Sequence, residues 1–412
     1  MIINNFNVAC IWLIIDKGAK FLKKRFITSN DWQTSIAEIA LQAFIEQSRH
    51  IGNASSLHTY GRDVRKAVEE ARERIAGLID AHASEIIFTG SGTEANNLAL
   101  KGAYWHRNKD GIARNLIVIS AFEHHAVLDP ARWLEDFEGA EVLLVPVSKD
   151  GYVDLQSLEE IIRERHDEIA LISVMHSNNE VGTVQPLSEI VKLADQFEIP
   201  VHSDAVQSLG KIPLSFKKLG LFAMTISAHK IGGPIGIGAL VLRKGVDITP
   251  ILHGGGQERE IRSGTLNSAG IVAFAAAVQS ALRDLDSSRE KISALRKKLI
   301  TALQREVPDA TLNGVLDGET LPGIANISFP RTESDSLLLL FDAEGIACST
   351  GSACSAGVQE ASHVLLAMGL SEKEARSSLR FSLGTSNTDT DIEYLQTCIK
   401  RVIDRARAAF RD

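Results

Sequence analysis

The sequence predicts an α/β protein. Its large domain carries a mostly parallel seven-stranded sheet flanked by helices, and a smaller α+β domain follows. Three observations support this. From residue 63 to about 280, apolar runs of strand length alternate with helix-length periodic segments, the pattern of a parallel sheet covered by helices. After about residue 285 the pattern changes to charged helical segments with two strands among them. No long linker, internal repeat or low-complexity tract separates the halves, so the two domains are expected to pack closely. The predicted boundaries are a divergent segment at 1–32, a large domain at 33–280 and a small domain at 281–412.

The elements follow in order. VACIWLII (8–15) is apolar and is followed by Lys17, Lys20, Lys23, Lys24 and Arg25. It is too short to span a bilayer, and its basic residues stand on the wrong side for a secretory signal. A peripheral helix or strand is the plain expectation. DVRKAVEEARERIAGLI places Val64, Ala67, Val68, Ala71, Ile75 and Leu78 on one helical stripe. Strand candidates are EIIFT (85–89), LIVIS (116–120), EVLLVPV (141–147), IALISVM (169–175), IPVHSD (199–204), AMTISA (223–228) and IGALVL (237–242). Asp154 is the expected N-cap of the helix in VDLQSLEEIIRER. In the small domain, ANISF (325–329) and LRFSL (379–383) read as strands among helices.

Of the 412 residues, 44% are hydrophobic and 23% charged, which suits a soluble globular chain. A net charge of −8 speaks against direct nucleic-acid binding. Cys10, Cys348, Cys354 and Cys398 form no CxxC pair and no Cys/His zinc spacing. Neither a disulfide framework nor a metal site is indicated, and a reducing, cytoplasmic setting fits.

Several groups of residues have the chemistry of a site. GSGTEA (90–95) turns from a strand into a helix, and its exposed amides suit a phosphate, with Gly92 and Thr93 in its first turn. Alone, the motif is equally a tight turn. A nicotinamide site would want an acidic residue about 20 positions on, and Asp110 lies near that distance but in a polar loop. Asp204 and Gln207 end one strand, and Ser227, His229 and Lys230 end another. A lysine between an apolar strand and a glycine-rich segment is poorly solvated, which favours the neutral amine that forms Schiff bases. An acidic partner for a pyridinium nitrogen is the matching need of pyridoxal phosphate (PLP). Phosphate turn, aspartate and lysine together meet the demands of that cofactor.

His124 and His125 follow a strand on the ligand side of an open sheet. His124 is the expected proton-handling ring. Arg380 has the guanidinium fork that takes a carboxylate, and Thr265, in a segment too polar for the core, has the hydroxyl of a phosphate ligand. Cys354 stands in ACSTGSACSAGVQ, among small residues that leave a sulfur reachable, so it either fills a tight turn or must travel and react. Cys348 is expected to pack.

With these residues in place, the sequence resembles the cysteine desulfurases, in the class V branch of fold type I PLP enzymes. GNASSLH, FTGSGTEANNLA, EHHAV, MHSNNEVG, DAVQS, SAHKIGGPIGIGAL, HGGGQEREIRSGT, GSACSAG and SSLRFSLG carry the resemblance in order, over roughly residues 50 to 405. It implies that Lys230 holds PLP, that His124 stacks on its ring, that Asp204 pairs with the ring nitrogen and that Gln207 meets the phenolic oxygen. Thr93, Ser227 and His229 would hold the phosphate, joined by Thr265 from a second subunit of a homodimer. Asn179 and Arg380 would place the carboxylate of L-cysteine. Cys354 would take its sulfur as a persulfide for an acceptor protein, leaving alanine. The family's usual N-terminal Asp-Asn-Ala-Ala-Thr-Thr-Pro-like segment is replaced here by RFITSNDWQ (25–33), and Thr385 stands where an arginine is common. A selenocysteine lyase, another class V enzyme or a non-catalytic scaffold are the alternatives. A nicotinamide oxidoreductase would leave Lys230 and Cys354 without a role.

Overall fold

The computed structural model describes residues 36–109, 111, 113–350 and 360–410. The segment 1–32, Asp110 and Cys354 therefore lie outside the described residues. Within them, ten strands form two sheets. β1 (Ile86–Thr89), β2 (Leu116–Ser120), β3 (Glu141–Val145), β4 (Ile169–Ser173), β5 (Val201–Asp204), β6 (Ala223–Ser227) and β7 (Gly238–Leu242) make a seven-stranded sheet in the order β1-β7-β6-β5-β4-β2-β3. β7 alone runs against its neighbours: it pairs antiparallel with β1 and β6, whereas the other pairings are parallel. All seven strand predictions are met, LIVIS in full and the other six with an end trimmed by one or two residues. The second sheet is antiparallel, β10 (Ser378–Ser382), β9 (Ile324–Ser328) and β8 (Thr311–Asn313). β8 was not foreseen, because three residues give too short an alternation to read.

Six of the seven large-sheet strands are buried at every position, β5 (VHSD) among them despite three polar residues, and only edge strand β3 is partly exposed. Two apolar clusters cover the faces of this sheet. One holds Ile75, Ile86, Phe122, Ile172, Val201, Met224 and Phe274, the other Leu98, Ile117, Leu134, Leu171 and Leu240. A third surrounds the small sheet and holds Leu299, Ile327, Phe341, Phe381 and Ile399. Val364, Leu365 and Met368, late in the sequence, join the first cluster rather than the third. The expected helix over 63–79 is present as Thr59–Leu78, its buried stripe including Val64, Val68, Ala71 and Ile75. Asp154 caps Leu155–Arg165 by accepting the amides of Gln156 and Ser157, as predicted.

Two buried polar ties set the frame of the site. Arg72 donates to both oxygens of Glu258 at 2.7 and 2.8 Å, and Glu258 also accepts the Phe88 amide at 2.9 Å. This fixes the polar segment 253–265 beside β1. His202 lies in β5 between the Ser173 and Thr225 hydroxyls, at 2.9 and 3.1 Å. Burial drives its pKa down to about 3. The unfolded chain therefore binds a proton near pH 6.5 that the folded chain refuses until about pH 3. The stability His202 confers is complete above pH 6.5 and is lost as pH falls toward 3. Denaturant midpoints should fall over that window, and His202→Gln should flatten the decline. An unchanged slope in His202→Gln would rule this source out.

Candidate active site

The site lies where the large-sheet strands end, and each of its residues is held by local structure. Ser91 caps the helix Gly92–Arg107 by accepting the Glu94 amide at 3.1 Å. Gly92 is required there: a Cβ would come within 2.9 Å of Val206 Cγ2. The helix N-terminus is thereby pressed against the turn that carries Asp204 and Gln207. Thr93 is exposed in the first turn. Glu94 accepts the Gly90 amide at 2.8 Å and pairs with Arg262 at 2.8 Å, which draws the 253–265 segment up to the glycine turn. Thr265 is exposed at the end of that segment.

Asp204 is buried at the end of β5. Its Oδ2 accepts from Asn96 Nδ2 at 2.6 Å and its Oδ1 from the Val206 amide at 2.9 Å. Two donors leave the carboxylate with further acceptor capacity. Ser227 ends β6, and its hydroxyl bonds His229 Nδ1 at 2.9 Å. Lys230 follows in the short turn His229–Ile231. Burial lowers the Lys230 amine to about 8, against the pull of the Asp204 charge. Burial, with the charges of Lys230 and Lys211, lowers His229 to about 4. Both directions match the expectation of a poorly solvated lysine.

His124 caps the helix His125–Glu138, its Nδ1 accepting the Ala126 amide at 3.0 Å. A neutral ring so held must carry its proton on Nε2. The surrounding protein holds its pKa below the ordinary value, with Asp204 opposing and Lys230 adding to the shift. His124, Asp204 and Lys230 are thus within electrostatic reach of one another, although they come from three separate strand ends. His125 points elsewhere: it bonds Asp129 at 3.1 Å and sets its ring edge-on to His363 at 5.0 Å.

Arg380 lies in β10 and is fully buried. Its Nη1 donates to the Asn179 carbonyl at 2.8 Å, so the two residues expected at the substrate carboxylate meet. Asn179 Oδ1 is buried with no partner among the described residues. Arg380 also bridges Ser349 through both backbone groups, at 2.7 and 3.1 Å. On the far side of the cysteine segment, Ser362 donates to Glu180 at 2.5 Å and His363 Nε2 to the Glu123 carbonyl at 2.8 Å. The chain on either side of residues 351–359 is therefore anchored beside the predicted site residues. Cys348 is closely surrounded and burial pushes its thiol far up, as expected of a packing cysteine.

Sequence reasoning missed Asn96, Glu123 and Lys211. Asn96 is a polar residue on the buried stripe of its helix, beside Ala95, Ala99 and Leu100, and that pattern was the available signal. Glu123 is fully buried. It accepts from Ser120 Oγ and the Met175 amide, and burial raises its pKa to about 8. Nothing in EHHAV marked it. Lys211 donates to Gln207, and only the four-residue spacing hinted at the pair.

The donor set fits PLP: hydroxyls and amides at a helix N-terminus, a buried carboxylate, a lysine of lowered pKa and an unpaired amide oxygen converge. This is the architecture of a fold type I PLP enzyme, and the chain belongs to the aminotransferase class-V family, whose model matches residues 33–395. The IscS-like cysteine desulfurase of Mycobacterium tuberculosis is 47% identical over 376 residues, 91% of this chain and 95% of that protein. The cysteine desulfurase IscS of Dictyoglomus turgidum is 42% identical over 89% of this chain and 91% of that one. Among solved structures, a NifS-like protein superposes with a TM-score of 0.84 at 34% identity, covering 92% of this chain and 99% of that one. No helix among the described residues is long and apolar enough to cross a membrane, and no group of three metal-ligating side chains occurs among them.

Proposed function

We propose that this chain is a PLP-dependent cysteine desulfurase that converts L-cysteine to L-alanine. The carbon–sulfur bond of the substrate breaks and a sulfur–sulfur bond to Cys354 forms. The electron pair of the broken bond stays with the carbon, which takes up a proton, and the persulfide on Cys354 is passed to an acceptor protein. Fe–S cluster assembly, tRNA thiolation and DNA phosphorothioation are the pathways such a donor serves. The single observation that carries the reading is the convergence of Lys230, Asp204 and His124 at the ends of three strands.

When bound, PLP supplies an electron sink that labilises bonds at the substrate α-carbon and, through it, the β-carbon. The residues of this chain divide the remaining work. Lys230, with its lowered pKa, is the attachment point and a proton carrier at Nζ. Asp204, held by Asn96 and the Val206 amide, offers its free lone pairs to the ring nitrogen. Gln207 meets the phenolic oxygen. The amides at Gly92 and the side chains of Thr93, Ser227 and His229 hold the phosphate. His124 covers the ring and presents an Nε2 proton. Arg380 and Asn179 grip the substrate carboxylate.

The same proposal has a large PLP-binding domain at 33–280, a small domain at 281–412 and a cytoplasmic homodimer in which Thr265 completes the neighbouring copy's phosphate site. Ile51, Leu57, Tyr60 and Ile235 expose large apolar side chains, as a subunit interface needs. Purified protein given L-cysteine and a reductant should release alanine and sulfide in equal amounts, and Cys354→Ala should lose about a thousandfold or more of that rate while still binding PLP. Full sulfide release by Cys354→Ala would refute transfer through that thiol. PLP-loaded wild type with no turnover would favour the scaffold alternative.

A further inference from the structure

Lys211 is a half-buried amine that the proposed reaction does not use. It follows Gln207 by one helical turn after β5, where the Ser208 and Leu209 amides both bond the Ala205 carbonyl and the Lys211 amide bonds that of Ser208. Gly210, between them, has φ of +71°, and a Cβ there would meet Ala281 and Ile231 at 2.9 Å, so only glycine lets this turn close. The Lys211 amine donates to Gln207 Oε1. In its charged form this amine has donors and no acceptor, so that form holds only the oxygen end of the amide. Gln207 Nε2 has no partner among the described residues, which makes the free end of this buried side chain a pure donor. The Lys211 side chain is half-buried. Burial, and then the charge of Lys230, lowers its pKa to about 7, and it in turn lowers that of His229. Lys230 and His229 are the titratable groups within its reach.

We infer that Lys211 is a positioning residue for the phenolic oxygen of the cofactor: by occupying Gln207 Oε1 it leaves Nε2 as the group that meets that oxygen, and so favours the deprotonated oxygen over the protonated one. A glutamine free to rotate would accept from a protonated oxygen as readily as donate to a deprotonated one. Lys211 removes the first choice. The inference rests on the PLP reading above and adds a residue to it.

The test is a pH titration of the visible absorbance of bound PLP, with PLP affinity measured alongside. In Lys211→Met the apparent pKa of the chromophore should rise by about one unit, because a donor to the deprotonated oxygen is lost. Lys211→Arg should restore the wild-type value, since it keeps the donors. Gln207→Leu should shift the pKa by a similar amount, and adding Lys211→Met to Gln207→Leu should change it little further, as expected when one residue acts through the other. Equal shifts in both backgrounds would mean that Lys211 acts as a plain charge, and the inference would be wrong. It would be equally wrong if Lys211→Met titrated like wild type. Should Lys211→Met not fold, Lys211→Leu, which also lacks a donor, supports the same comparison. A wild type that takes up no PLP would overturn the function proposed above and this inference together, whereas a normal wild-type titration with an unshifted variant would overturn this inference alone.

Discussion

Lys230→Ala is expected to lose at least ~10⁴-fold in alanine release, the scale seen when a group acting in every covalent step is removed. The reason is local. Lys230 lies in a three-residue turn directly after β6, in surroundings that lower its amine to about 8. At neutral pH a tenth or so of such amines are already unprotonated, on the order of a hundred times more than at the ordinary pKa. Among the described residues, Lys230 is the lysine whose charge acts on His124 and which feels the charge of Asp204. Reduction with borohydride in the presence of PLP should tag the Lys230 peptide in wild type and leave Lys230→Ala untagged, as read by mass spectrometry. The fold should persist, because Lys230 contributes no apolar burial to any of the three cores. A tag on another lysine, or turnover within tenfold of wild type, would show that the anchor is elsewhere.

Lys should not replace Arg380. Arg380→Lys is expected to reduce kcat/KM for L-cysteine by about a hundredfold, chiefly through KM, the loss anticipated for one charge-assisted fork. Arg380 is wholly buried, with its pKa held down to about 10 by that burial, so it remains a cation at any physiological pH. Part of its guanidinium is committed to the Asn179 carbonyl and its backbone to Ser349. A lysine keeps the charge but cannot hold the Asn179 carbonyl and a carboxylate in one plane. The KM effect should be larger for L-cysteine than the change in PLP affinity, if the fork meets substrate rather than cofactor as proposed. Equal losses in both, or an unchanged KM, would place Arg380 in a purely structural role.

The fold was legible because apolar strands and periodic helices differ in period, and the seven strands of the large sheet announce themselves within two residues of their true ends. β8 did not, because Thr311–Asn313 pairs along an edge too short for alternation to register. The residues at strand ends were legible for a similar reason: a charged residue directly after a fully buried strand has few structural explanations. What remained hidden was whatever depends on long-range approach. Asn96 reaches Asp204 across 108 positions, and Glu123 accepts the amide of Met175 across 52. Neither pairing leaves a local trace. Cys354, in its run of Ser, Gly and Ala, lies outside the described residues, so its role stays an expectation from the sequence.

The reversal of β7 matters for the order in which the protein acquires its site. In a sheet of parallel strands each neighbour is reached by a crossover, so its contacts join distant parts of the chain and form late. Because β7 turns straight back along β6, the Lys230 connection is instead closed by short-range bonds: Ala228 to Ile237, Gly233 to Ala228, and all five β6–β7 partners from Ala223–Leu242 to Ser227–Gly238. The lysine is therefore set in the least entropically costly part of the large sheet, whereas Asp204 and His124 reach it only when the crossovers close. Amide protection in a pulse-labelled refolding experiment should appear in β6 and β7 before β2 and β4, so the anchor for the cofactor would be in place before the residues that put it to use.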